Sequence, residues 1–402
     1  MGNNKVYSIV IILVVLLAGT AGAMTFINNG SNDDDNDDAS AERVFYDSYG
    51  LKFVVPMTIE TSVVQSGPPM TFLSYLGKGV MDTIIATGND VKHSGGLNTY
   101  NAAYDFTPIA TITQNTFTTT EIEKILALNP DIVIVAGGDT LLDTVKSFSD
   151  TLNNASVACC VLKRATEVTD DGFKAQFRLM AEVFNVPERA EEVISTGAQY
   201  VSDLQEILAS VETTEVKHVF AAGLTWGGAG GFYKSTSAYT PFEYLGDKVM
   251  NVYSCITDVQ NSVLSSEALL NYDANVHSID MIFIDTGSGY STTLEQFDGS
   301  TNEKAVRALS AFTTREVYSA LPWCARGTMP DNSIIIAYQI AALMYPSLFQ
   351  GFDMDAFAME VWELFMGFDG AGQTVYDLKM AYVHDTLGAD KGLLDRSPLV
   401  GP

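Results

Sequence analysis

Few residues of this 402-residue chain are suited to chemistry. The four histidines, His93, His218, His277 and His384, show no HExxH spacing, and Ser288 has Thr286 where a GxSxG nucleophile elbow wants glycine. The run Gly227-Gly228-Ala229-Gly230-Gly231 lacks the Gly-Lys-Ser/Thr of a phosphate loop and the spacing of a dinucleotide site. Catalysis is therefore poorly supported, and ligand capture suits the remaining residues better. Trp226 stands beside that run, where missing side chains let a flat ligand approach the backbone at Gly228 and an aromatic face can cover its apolar parts. A glycine-rich turn around a buried Trp fits the same residues. Tyr233, Tyr290 and Trp323 each follow an expected strand end, so each either points into a cleft or fills core or rim. Arg326 stands out because the chain has only 22 Lys and Arg; its guanidinium fork suits a carboxylate or an anionic chelate, or a surface ion pair. His93 with Asp139 and Asp285 is the best set on offer for a free metal ion, though a lone His in a polar loop is more often simply solvated.

The elements that must position these residues follow a repeated order. In Thr118 to Thr140, Thr119 or Thr120 can cap a helix whose stripe is Ile122, Ile125, Leu126 and Leu128, and Asn129-Pro130 stops it. Ile132 to Ala136 is apolar on both faces, as an interior strand of a parallel sheet is, and it ends in Gly137-Gly138-Asp139. Leu264 to Tyr290 repeats the pattern with SSEALL, then Met281 to Ile284, then Thr286-Gly287-Ser288-Gly289. Ligands of open parallel sheets bind beyond the carboxyl ends of the strands. Gly138 is thus a candidate contact, and two such units suggest two lobes facing one ligand.

The length and a 47% apolar content can fill two cores. Ser8 to Ile27 is an uncharged apolar run long enough to cross a bilayer, and Ala21-Gly22-Ala23 resembles a signal-peptidase site, so residues 1–27 read as an export signal or an anchor. Residues 28–42, NNGSNDDDNDDASAE, read as a self-repelling acidic tether. A net charge of −27 disfavours nucleic acid as a partner. Cys159, Cys160, Cys255 and Cys324 show no CxxC spacing, so zinc is poorly supported. The adjacent pair sits in a strand-like run as small apolar filler, and the pairing of Cys255 and Cys324 is open.

Along the chain, strands are expected at Val44–Tyr46, Leu51–Val55, Ile84–Ala86, Val157–Leu162, Val216–Ala222, Val249–Tyr253 and Glu316–Tyr318. The stretch from Thr87 to Phe117, with Tyr100 and Tyr104, is too long for an ordinary connection and reads as a candidate binding loop. Helices are expected at Met70–Leu76, Gly172–Phe184 and Pro187–Val211, the last about 37 Å long at 1.5 Å per residue, and Ser333–Tyr345 and Asp355–Met366 close the second lobe.

This order of parts resembles the solute-binding proteins of ABC importers that handle iron complexes and cobalamin, the class with a helical backbone between its lobes. The carrying residues are GPPMTFLSYLG (67–77), EIEKILALNPDIVIVAGGD (121–139), the helix from Pro187, the strand and glycine-rich loop 216–233, SSEALL with MIFIDTGSG (265–289), and the tail from Val317 to Met354. It covers about Val44 to Gly367.

The resemblance implies an α/β fold of two lobes, each with a mostly parallel central sheet flanked by helices, joined by one long backbone helix. The expected divisions are 43–165 for the first lobe, 171–212 for the linking helices and 213–402 for the second lobe. It implies an extracytoplasmic, non-enzymatic monomer with no intrinsic cofactor, which captures a metal chelate such as a ferric siderophore, haem or cobalamin and delivers it to an ABC permease. Pro68, Tyr100, Gly138, Trp226, Gly228, Tyr233, Tyr290, Trp323 and Arg326 are the expected ligand contacts. The family usually docks to its permease through a Glu on the first helix of each lobe; MTFLSYLG has none, and Glu243 can serve in the second lobe. A tethered extracellular enzyme and a surface sensor or adhesion module are the rival readings.

Overall fold

Strands form where β-branched and apolar residues run without interruption. β1 (Glu42–Tyr46) and β2 (Lys52–Pro56) pair antiparallel across the turn at Asp47–Gly50. β3 (Ser62–Val64), β4 (Ile84–Gly88), β5 (Ala110–Ile112), β6 (Ile132–Ala136) and β7 (Ala158–Leu162) form a parallel sheet in the order β5-β4-β3-β6-β7. A second sheet contains β8 (Lys217–Ala222); β9 (Lys234–Thr236) lies beside it, and β10 (Val249–Asn251) flanks β8. β11 (Asn261–Val263) pairs antiparallel with β9. β12 (Met281–Asp285) and β13 (Val317–Ala320) complete the second sheet, parallel throughout and ordered β10-β8-β12-β13. This computed structural model describes residues 42–397 apart from 93–96, 115, 139–141, 164–166, 225–229, 288–289, 298, 300, 325–326, 388–392 and 396. The head, 1–40, divides from the body as a separate unit and, with Ala41, lies outside the described residues.

The inner strands of both central sheets are covered on two faces, which is why β6 and residues 281–284 of β12 are apolar throughout. In β6 and β7, Val133, Val135, Cys159 and Val161 pack with Ile125, Val145 and Phe148, while Ile132, Ile134, Cys160 and Leu162 face the other way. The same alternation sends Phe220, Ile282 and Ile284 to one side of the second sheet and Val219, Met281 and Phe283 to the other. The adjacent cysteines thus sit on opposite faces; none of the four cysteines is in a disulfide, and only Cys255 is exposed.

The helix Thr119–Leu128 is capped by Thr118, whose Oγ1 accepts from Glu121 N, and closes on Asn129 in the left-handed region. The backbone helix Pro187–Leu208 has 22 residues, about 33 Å. It packs on Asp171–Val183 of the first lobe and on Thr240–Leu245 and Pro330–Met344 of the second.

Three expectations change. The 87–117 stretch is largely ordered, with helices Asn89–Lys92 and Thr99–Ala103 and edge strand β5. The strand at Val249 stops at Asn251, whose side chain caps a short helix, Val252–Ile256. The chain also continues past Met366 into a helix, Ala371–Leu387, and this helix and Met354–Met366 return to the first lobe, packing on Gly67–Tyr75 and Thr99–Ala103. Tyr75 meets Phe365 edge-on at 4.8 Å, and Tyr104 Oη donates to Met366 O at 2.9 Å. No helix among the described residues is long and apolar enough to cross a membrane.

Candidate functional site

The carboxyl ends of the two parallel sheets meet. After β3 comes Gln65-Ser66 and the helix Gly67–Tyr75; after β13 comes a loop leading to the helix Pro330–Met344. The two sides touch where a Cβ on Gly327 would lie 3.5 Å from the Cα of Pro68. Tyr75 Oη donates to Asp331 Oδ1 at 2.6 Å, and Thr99 Oγ1 donates to Asp331 Oδ2, so one buried carboxylate of the second lobe is held by two hydroxyls of the first.

A buried polar group lies beneath this junction. Lys379, only 1% exposed, donates from Nζ to Leu97 O at 3.0 Å. Burial pushes its pKa down to about 8, opposed by the charges of Asp331 and Asp285. Asp285, at the end of β12, accepts from the backbone N–H of Trp323 and of Gly287 at 2.8 Å each. Burial pushes its carboxyl up to about 7 although these donors favour the charged form. Asp285 was singled out in the sequence; Tyr75, Thr99, Asp331 and Lys379 were not. Only the Pro at the start of the helix, just before Asp331, marks that acid as a first-turn residue.

The expected contacts are distributed as follows. Pro68 is half-buried in the wall against Gly327. Gly138 follows β6 with open space where a side chain would stand, whereas a Cβ on Gly137 would lie 2.7 Å from the Tyr49 ring. Trp226, Gly228 and Arg326, with His93 and Asp139, lie outside the described residues. Tyr100 is buried edge-on against Phe106, Tyr233 against Phe232, and Trp323 against Tyr239 at 5.3 Å. Tyr290 is buried in the second-lobe core. In this conformation these four rings are covered by the protein's own side chains.

Glu243 is exposed on Thr240–Leu245 beside Glu167, which follows β7. Burial and the neighbouring Glu243 carboxyl push Glu167 up to about 8. His218 and His277 stack at 3.5 Å near the start of β8, at the opposite end of the sheet from the junction, and His218 Nδ1 is 2.6 Å from Tyr272 Oη. Among the described residues no group of three or more His, Cys, Asp or Glu is placed to hold a metal ion.

No curated protein matches the chain in sequence. Solved structures do match in fold. A molybdate-bound periplasmic binding protein, MolA of Haemophilus influenzae, superposes with a TM-score of 0.62 at 18% identity, covering 81% of this chain and 98% of its own. FepB, a TroA-like periplasmic binding protein of Veillonella parvula, gives 0.57 at 17% identity, with 81% and 96% covered. Helicobacter pylori CeuE with Ni(II) bound gives 0.58 at 14% identity, with 82% and 98% covered. These likenesses establish a shared two-lobed α/β fold. Residues 78–320, more than half of the sequence, match the family described as periplasmic binding protein. The chain belongs to the periplasmic binding protein family, the extracytoplasmic solute-binding proteins of ABC transporters.

Proposed function

We propose that this protein captures a metal chelate, either an iron chelate or a corrinoid, at the junction of its lobes and presents it to an ABC permease as a monomer, with residues 1–27 exporting or anchoring it. The observation that carries this reading is the meeting of the carboxyl ends of two parallel sheets at Pro68 and Gly327. Pro68 and Gly138 are the solute contacts on this reading, with Trp226, Gly228 and Arg326 as further contacts, and Tyr100, Tyr233, Tyr290 and Trp323 would reach the solute only if the side chains that cover them move. We take 43–165 as the first lobe, 171–212 as the linking helices and 213–402 as the second lobe, whose last two helices reach back to the first. Glu243 is the docking acid on this reading, since the segment MTFLSYLG is buried and offers a permease no surface.

Purified protein should be examined for absorbance as isolated and titrated with ferric siderophores, haem and cobalamin while Trp fluorescence is followed. Micromolar binding of one of these is the expected result; binding of none, with no co-purifying colour, rejects the chelate. Trp226→Ala should weaken binding by about 1–3 kcal/mol if the indole stacks on the solute, and an unchanged dissociation constant would return it to the core.

A further inference from the structure

Three buried polar contacts tie the first lobe to the second beneath the junction. The carbonyl oxygen of Leu97 accepts from Lys379 Nζ at 3.0 Å, and two residues further on Thr99 Oγ1 donates to Asp331 Oδ2. Tyr75 Oη donates to the other carboxylate oxygen, Oδ1, at 2.6 Å. The stretch 97–99 thus turns an acceptor toward a cation and a donor toward an anion, the pairing that each charge favours. Asn98 between them is buried and is the N-cap of Thr99–Ala103, so the stretch belongs to a helix start of the first lobe.

On the far side the two charges are connected through the closing helices. The Lys379 ammonium lies 5.9 Å from the centre of the Trp362 ring, Trp362 Nε1 donates to Asn332 Oδ1 at 3.1 Å, and Asn332 Nδ2 donates to Pro322 O at 2.8 Å. Asn332 follows Asp331, and Pro322 precedes Trp323, whose N–H is held by Asp285. Lys379, Asp331, Asn332 and Trp362 are all buried. An ammonium and a carboxylate are tolerated at such burial only where charges and hydrogen bonds compensate them. Here part of the compensation comes from the opposite lobe. Parting the lobes would strip Leu97 from the ammonium or the hydroxyls from Asp331, and water could take their place; an apolar seam would have no such substitute.

From this we propose that residues 97–99 are a latch, gripped by Lys379 and Asp331 through opposite charges, which holds the lobes together before a solute arrives and lets go when the junction opens. Opening then moves the helix Thr99–Ala103, and with it Tyr100, away from the second lobe. The proposal goes beyond the solute-binding reading and does not depend on which solute is captured.

Hydrogen–deuterium exchange and small-angle scattering on the purified protein, with no solute added, test it. Lys379→Met keeps most of the stem and removes the charge. In this variant the amides of 97–103 should exchange at least about tenfold faster and the radius of gyration should rise by about 1 Å, while exchange in β6 and β12 stays as in the wild type. Asp331→Asn, which keeps an oxygen acceptor and loses the charge, should loosen the same stretch. A lysine that only fills space beside Trp362 would tolerate Met, so unchanged or slower exchange at 97–103, or an unchanged radius of gyration, overturns the latch. If Lys379→Met also loses protection throughout β6 and β12, Asp331→Asn decides by the same two criteria. Either result leaves the solute-binding reading to its own titrations.

Discussion

Asp331 joins the lobes through two hydroxyls on opposite oxygens, and the positive end of Lys379 lies within its field. Asp331→Ala would leave the Tyr75 and Thr99 hydroxyls buried without an acceptor and remove a counter-charge from Lys379, which should cost about 2–4 kcal/mol in urea unfolding. Tyr75→Phe removes one donor only and should cost about 1 kcal/mol. Equal losses would show that the carboxylate is not the shared anchor. Asp285 gives a pH signature. Its folded pKa is raised from 3.8 to about 7, so between those values the folded state holds a proton that the unfolded state has released, and stability falls as pH rises through that window. Glu167 adds to the fall with the same sign up to about pH 8. Asp285→Asn should therefore show a shallower decline of melting temperature from pH 4 to 7, and an unchanged slope would assign the effect elsewhere. The sequence marks Asp285 because it ends an apolar strand. Lys379 carries no such mark, because a buried lysine is defined by what surrounds it.

At the scale of elements, the strands with uninterrupted apolar runs, β6, β7, β8 and β12, are legible because two-sided burial demands that composition. The helix after Thr118 is legible from its cap and its Asn-Pro stop. The region between Thr87 and Phe117 is not, since its helices are of four and five residues and its strand of three, too short to show a period. The final helix, Ala371–Leu387, follows Gly367 to Gly370, which reads as an end, and its path back to the first lobe depends on distant partners such as Leu97. Truncation after Asp369 should uncover Trp362 and the face of Thr99–Ala103, lowering the melting temperature by several degrees and opening the first lobe to protease. A truncated protein with unchanged melting and proteolysis would show these contacts to be dispensable.

For the whole molecule, the backbone helix and Met354–Met366 lie against each other, Tyr200 Oη donating to Glu360 Oε1 at 2.8 Å and its ring meeting Phe357 edge-on, so rotation of one lobe about the other must shear both. Small-angle scattering with and without bound solute should differ in radius of gyration by less than about 1 Å, the scale of preorganised binding. A larger closure would mean that the C-terminal pair detaches. The two-lobed plan is visible in the sequence as a repeated helix-to-strand unit; the cross-bracing is not, because no local pattern encodes which surface a terminal helix will choose. The exposure of Cys255 alone among the four thiols has a practical consequence. Cys255 lies on Val252–Ile256, near Tyr272 and the start of β8, at the end of the second sheet remote from the junction. A maleimide dye would attach to the native sequence at that one point, at the end of the second sheet away from the junction. Its anisotropy would report movement of the second lobe without any engineered cysteine.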